Sequence, residues 1–333
     1  MTANGNFKRR VRARAAKTGE SYTTALRHFR PTPPGDVMPE STLRLAVAQT
    51  SSYDDPRDID QLRASGNELR HLMRQARAAG ARVVHFTEGA TCFPNKYVMS
   101  VDGPDQVGDA DWSRFEWDVL REELASIAAL AGELKLWTVL GSVHRLTEPT
   151  RPHNSHYVIS DQGAVATRYD ERTLSSTKIT YMYTPGSAPV TFEVDGFRFG
   201  CALGMDVHFP ELFHQYERLD VDCVLVSHNT AGTEPNTGTP TEARGHASTN
   251  TYWISYAVIA NHSPAIPSGV INPYGEWAAQ CVPDGSSSIA VLDMERTADH
   301  PFSPLARTYR NKTRAGMSDV PLADDRSTVR TGF

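Results

Sequence analysis

Between Leu43 and Val143 the apolar residues change period repeatedly, and few architectures accept such a pattern. Leu43-Arg-Leu-Ala-Val-Ala48 is an apolar run of strand length. Ile59, Leu62, Leu69, Leu72, Met73 and Ala76 then recur at helical spacing within residues 57–80. Gly80 stops that helix, and Arg82-Val-Val-His-Phe86 reads as a second strand. Residues 112–133 place Phe115, Val119, Leu120, Leu124, Ile127 and Leu130 on one side of a further helix, and Trp137-Thr-Val-Leu-Gly-Ser-Val143 is the next strand. Strand, helix, strand, helix, strand predicts an α/β domain.

Downstream the pattern turns β-rich. Residues 157–160 and 164–169 flank the turn Asp161-Gln-Gly163, and residues 190–194 and 197–203 flank Asp195-Gly196, so two hairpins are expected. Helices are predicted over 210–219 and 240–253, and strands over 223–227, 254–260, 268–272 and 287–293. With no internal repeat and no interior linker, one domain over 41–300 is expected. Residues 1–40 read as a basic N-terminal extension, with Lys8, Arg9, Arg10, Arg12, Arg14 and Lys17 ahead of the helix-breaking Arg30-Pro-Thr-Pro-Pro-Gly35. Residues 301–333 read as a C-terminal tail.

A net charge of −5 gives no bulk attraction to nucleic acid. No run approaches the ~20 apolar residues of a membrane span. The basic start is not followed by an apolar segment, so no secretory signal is expected and a cytoplasmic location is. Cys92, Cys201, Cys223 and Cys281 are far apart and form no C-x-x-C, which argues for buried thiols rather than a disulfide framework or zinc site. G-x-G-x-x-G, Walker, H-E-x-x-H and G-x-S-x-G patterns are all missing. The pairs His153/His156 and His208/His214 lack carboxylate or cysteine company, so neither a metal nor a cofactor is expected.

Three segments carry chemistry. A buried strand runs into His85-Phe-Thr-Glu-Gly-Ala90, placing Glu88 where α/β sheets put function. Tyr169-Asp-Glu-Arg-Thr-Leu174 is followed by Tyr183-Thr-Pro-Gly186. Finally, Phe199-Gly-Cys-Ala-Leu-Gly-Met-Asp-Val-His-Phe-Pro-Glu-Leu212 turns sharply from strand into helix. Together with Gly141-Ser-Val-His-Arg145, Asn154, Arg244–Asn250, Ala260-Asn261 and Ser268–Gly275, their order resembles the nitrilase, or carbon-nitrogen hydrolase, superfamily from about Leu43 to Glu295.

That resemblance implies a four-layer α-β-β-α sandwich paired into homodimers or larger homo-oligomers. It also implies cofactor-free cleavage of amides, nitriles or carbamoyl groups by a Glu base, an oxyanion-stabilising Lys and a Cys nucleophile. Here the chain departs from the pattern. Glu88 stands at the base position, but Glu171 falls where the Lys is expected and Gly204 where the Cys is expected. Glycine carries no nucleophile, and a carboxylate repels an oxyanion.

Lys178 falls near the place of a second family glutamate, so Glu171 and Lys178 read as a charge exchange. Cys201, an odd number of residues from Gly204, is expected in the core. Cys92, on the loop after Glu88, is the alternative nucleophile. The candidate catalytic residues are therefore Glu88, Glu171, Lys178, Asp206 and His208. Gly204, Cys92, Asn95, Tyr97, Tyr181, His228, Asn229 and Trp253 are candidates to line the pocket. Three functions follow. The first is non-covalent chemistry (cyclisation, condensation, elimination or direct hydrolysis) on a small nitrogen-containing substrate, with Glu88 as general acid–base and Glu171 and Lys178 reshaping the charge. The second is a catalytically silent binding module or subunit of an active paralogue, and the third an amidase using Cys92 or water.

Overall fold

The computed structural model describes residues 42–229 and 238–295; the expected extension at 1–40 and tail at 301–333 lie outside the described residues. In chain order the main elements begin with β1 (Thr42–Gln49), α1 (Ile59–Ala78), β2 (Val83–His85), α2 (Lys96–Met99), α3 (Trp117–Leu134) and β3 (Trp137–His144). Next come β4 (His153–Ile159), β5 (Val165–Asp170), β6 (Thr191–Val194), β7 (Phe197–Leu203), α4 (Pro210–Arg218) and β8 (Cys223–Ser227). The described residues end with α5 (Gly238–Asn250), β9 (Trp253–Ala257), β10 (Gly269–Ile271), β11 (Trp277–Gln280) and β12 (Ser288–Glu295).

Two six-stranded mixed sheets result, ordered β12-β1-β2-β3-β4-β5 and β11-β10-β9-β8-β7-β6. β1, β2 and β3 run parallel, as do β7, β8 and β9, with antiparallel strands outside them. The sheets pack face to face. Leu45, Val47, Val139 and Val158 from one sheet share a core with Phe197, Phe199, Leu225 and Val270 from the other. Each such side chain, fully removed from water, contributes about 1.5–3 kcal/mol. α1 and α3 cover the outer face of the first sheet through Leu69, Leu72, Met73, Ile127 and Leu130. α4 and α5 cover the second through Phe213, Tyr216, Ala243 and Ala247. The fold is the α-β-β-α sandwich.

Local chemistry explains the element ends. The Asp58 side chain accepts from the backbone of Asp60 and Gln61 and starts α1. Asp195 and Gly196 both take positive φ, 48° and 81°, as the tight β6–β7 hairpin requires. The helix expected from residue 112 begins instead at Trp117. Trp112–Arg114 is a separate turn capped by Asp111, and Phe115 is extended, which lets its ring stack on Trp117 at 4.3 Å. The helix expected over 240–253 stops at Asn250, because Thr251 adopts φ 56° and turns the chain into β9. The short strand β11 was not anticipated. Four residues, Trp277-Ala-Ala-Gln280, are too few to show a period.

A polar link crosses the apolar seam at His85. His85 on β2 sits between Ser227 on β8 and Ser255 on β9, each 2.9 Å away. Ser227 Oγ donates to the Phe86 carbonyl, so His85 Nε2 donates to Ser227 and Nδ1 accepts from Ser255. Among the described residues, no helix is long and apolar enough to cross a membrane.

Candidate active site

The C-terminal ends of β2, β5, β7 and β8 converge on one centre. Glu88 follows β2, and its loop is pinned by the tight approach of β3. A Cβ on Gly141 would overlap the Thr87 carbonyl and Gly89 nitrogen, and Gly141 N–H donates to the Thr87 carbonyl at 3.2 Å. Glu171 follows β5, with its backbone N–H on the Asn154 carbonyl. Lys178 opens a widened turn, Lys178–Met182, closed by Tyr183 N–H donating to the Lys178 carbonyl at 2.8 Å. Such π-type turns recur at functional sites.

The Lys178 ammonium joins the two carboxylates. Nζ is 2.6 Å from Glu88 Oε1 and 2.7 Å from Glu171 Oε2. The Asn154 amide, on β4, spans the same two oxygens at 2.8 and 2.6 Å. The remaining oxygens take backbone donors. Asn229 N–H reaches Glu88 Oε2 at 2.7 Å, and Met205 N–H reaches Glu171 Oε1 at 2.9 Å. Both glutamate side chains are wholly buried, while Lys178 keeps 14% of its side-chain surface.

Burial pushes the Glu171 carboxyl up to about 7; Lys178 opposes that rise and Glu88 adds to it. Burial alone would lower Lys178, but the two carboxylates outweigh it and hold the ammonium above its ordinary range. A lysine charged in this way is an electrostatic group and not a nucleophile.

Gly204 begins the turn after β7 with φ 56°. A Cβ there would overlap Glu171 Oε1 and lie 2.8 Å from Lys178 Nζ. Glu171 thus fills the space that a side chain at position 204 would need, and it holds the Met205 N–H as well.

Above this centre lies a cavity of about 770 Å³. Lys178, Gly204, His208, His228, Asn229, Asn95 and Tyr97 line it, with Phe93, Tyr183 and Ile259 among its apolar walls. His208 also contacts Glu242 on α5, Nδ1 to Oε2 at 2.7 Å. His228 Nδ1 donates to the Gly204 carbonyl at 3.1 Å, and burial lowers its pKa, which keeps the ring neutral. Its Nε2 is buried without a partner among the described residues, as is the side-chain nitrogen of Asn229.

The other expected site residues lie elsewhere. Asp206 is fully buried and accepts from the Tyr169 hydroxyl, the Thr173 backbone and hydroxyl, and Leu203 N–H, so it braces the turn rather than facing the cavity. Cys92 and Tyr181 pack in an apolar cluster with Met99, Val143 and Met182. Burial pushes the Cys92 thiol far up, which leaves no thiolate to attack with. Trp253, expected at the pocket, is in the core between the sheets, and Cys201 is there too. Glu88 and Glu171 sit beneath Lys178 and do not line the cavity. Asn154 was quoted in the sequence as a motif residue without a role. Its place opposite two carboxylates depends on the register of β4 against β3 and β5, which no local pattern reveals. Among the described residues, no group of three or more His, Cys, Asp or Glu side chains is arranged to hold a metal ion.

Two mixed sheets packed face to face, with helices on both outer faces, form the four-layer sandwich of a nitrilase-like protein. Residues 44–301 match the carbon-nitrogen hydrolase family, and the chain belongs to it. Among solved structures, an amidase from Nesterenkonia sp. superposes with a TM-score of 0.63 at 17% identity, covering 82% of this chain and 97% of that one. A cysteine-to-alanine variant of the same amidase, in complex with butyramide, superposes with a TM-score of 0.63 at 17% identity over 83% and 99% of the two chains. At such identities the likeness speaks to the fold.

Proposed function

We propose that this chain performs non-covalent acid–base chemistry on a small nitrogen-containing molecule held in the cavity above Lys178. The observation that carries this reading is the Lys178 bridge between Glu88 and Glu171 at the cavity floor. An ammonium has three donors, and two point at the carboxylates, which leaves one for a substrate atom. Lys178 stabilises negative charge developing on that atom. Where a proton is needed, Lys178 gives its third N–H proton to the substrate, and the neutral amine that results then takes one from the Glu171 carboxyl, so the lysine ends as it began and Glu171 ends ionised. A carboxyl poised near 7 suits this exchange. Glu88 supplies the fixed charge that holds Lys178 in place. No acyl-enzyme enters the scheme, because position 204 has no side chain and Glu171 fills its space.

The test is turnover. The molecule that co-purifies is identified by mass spectrometry of the denatured protein, and amides, amidines and amino acids are screened by thermal shift. The hit is then followed by NMR with native protein, Glu88→Gln and Glu171→Gln. Loss of turnover in both variants with affinity nearly unchanged is expected; full activity in either variant overturns the scheme.

A second reading is favoured by the complete burial of both carboxylates beneath Lys178. In it the chain binds its ligand without converting it, alone or beside an active paralogue. Recovery of the ligand unchanged after long incubation supports that reading. Assembly into a homodimer or larger homo-oligomer belongs to either reading, and light scattering tests it.

A further inference from the structure

Two side-chain atoms at the end of β8 have no hydrogen-bond partner among the described residues, although their own residues are more than nine-tenths buried. They are His228 Nε2 and the Asn229 amide nitrogen. Both residues line the cavity above Lys178. Burying a polar atom without a hydrogen bond is costly, so two such atoms beside one cavity are tolerated where a ligand supplies what they lack. Their needs are opposite. His228 Nδ1 donates to the Gly204 carbonyl, which leaves Nε2 of the neutral ring as an acceptor. The Asn229 nitrogen is a donor.

We infer that His228 and Asn229 form a recognition edge for a ring that carries adjacent C=O and N–H groups, a lactam or cyclic ureide. The ligand N–H donates to His228 Nε2, and its carbonyl accepts from the Asn229 amide. This rests on reading the cavity as a small-molecule site. Three observations select the class. Both residues line the one cavity, so a single ligand that carries the two complements can meet them together. An open-chain secondary amide is trans and turns its C=O and N–H to opposite sides; a primary amide and a ring both hold them on the same side, and of these two the ring also covers the apolar walls. A cavity of about 770 Å³ walled by Phe93, Tyr183 and Ile259 accommodates a planar ring. Charge disfavours an anion in that place, because Lys178 is already matched by two carboxylates.

The probes are 2-quinolone and N-methyl-2-quinolone, titrated calorimetrically into the full chain. Methylation removes the donor and keeps the ring and carbonyl. The unmethylated lactam is expected to bind about tenfold more tightly. His228→Phe, which keeps a flat ring and removes the acceptor, is expected to abolish that preference, and His228→Gln to restore part of it. Asn229→Leu, close to Asn in shape, is expected to weaken both probes equally. Thermal melting of each variant establishes that it is folded. Equal binding of the two probes to the native protein, or an unchanged preference in folded His228→Phe, overturns the inference. The readout is binding alone. Absence of turnover with the preference intact therefore counts against the acid–base scheme only, and loss of the preference counts against this edge only.

Discussion

Glu171 and Gly204 occupy one space. The glutamate carboxylate lies where a Cβ on residue 204 would be, and it accepts the N–H of the next residue, Met205, at 2.9 Å.

The first prediction follows from that overlap. Gly204→Ala is expected to destabilise the protein by about 2–4 kcal/mol, from overpacking and from placing a side chain at φ 56°. In a Glu171→Ala background the same change is expected to cost only the backbone part, about 1 kcal/mol. Urea unfolding of the four proteins gives the coupling directly; additive effects would mean that the two residues do not compete for space.

Stability should depend on pH through Glu171. Its carboxyl is raised from 4.5 to about 7 in the folded protein, so between those values the folded state binds more protons than the unfolded one. Stability contributed by this group therefore falls as pH rises through that window, by at most about 3 kcal/mol. Glu171→Gln should remove the slope, and urea midpoints at pH 5 and pH 7.5 read it.

His156 works in the opposite sense. Burial lowers its pKa from 6.5 to about 3, so in that interval the unfolded state binds more protons and stability falls as pH drops. Both ring nitrogens are buried without partners among the described residues, and the ring lies edge-on to His85 at 5.8 Å. His156→Phe is expected to be neutral or stabilising at pH 7 and clearly stabilising, by about 1–3 kcal/mol, at pH 5. A melting temperature lower than that of the native protein at pH 5 would contradict this.

Removal of Lys178 leaves two buried carboxylates around an empty position. Lys178→Met should cost about 3–5 kcal/mol, and adding Glu171→Gln should recover a substantial part. A double-mutant cycle by chemical denaturation measures the coupling, and a value near zero would show that the bridge contributes nothing to folding.

Much of the fold was legible because α/β proteins write it into local periods. The run Leu43–Ala48 and the helical spacing from Ile59 to Ala76 each settle one element, and alternating elements imply parallel strands. Family motifs supplied the four-layer arrangement. Glu88 was legible as a residue that fits the resemblance, and Glu171, Lys178 and Gly204 as residues that do not. Their depth was not. Whether a glutamate faces a cavity or lies beneath a lysine depends on the width of the turn after residue 177 and on Asn154 arriving from another strand. Asp206 shows the same limit, since its four donors come from Tyr169, Thr173 and Leu203, up to 37 positions away in sequence.

The shared space of Glu171 and Gly204 also shapes the mutational routes open to this chain. A side chain introduced at 204 meets the Glu171 carboxylate, and a lysine introduced at 171 meets the Lys178 ammonium that now bridges toward it. Neither first step is neutral by itself. A side chain at position 204 is therefore accommodated only when residue 171 changes with it, so substitutions at these two positions are tolerated as a pair and not one by one.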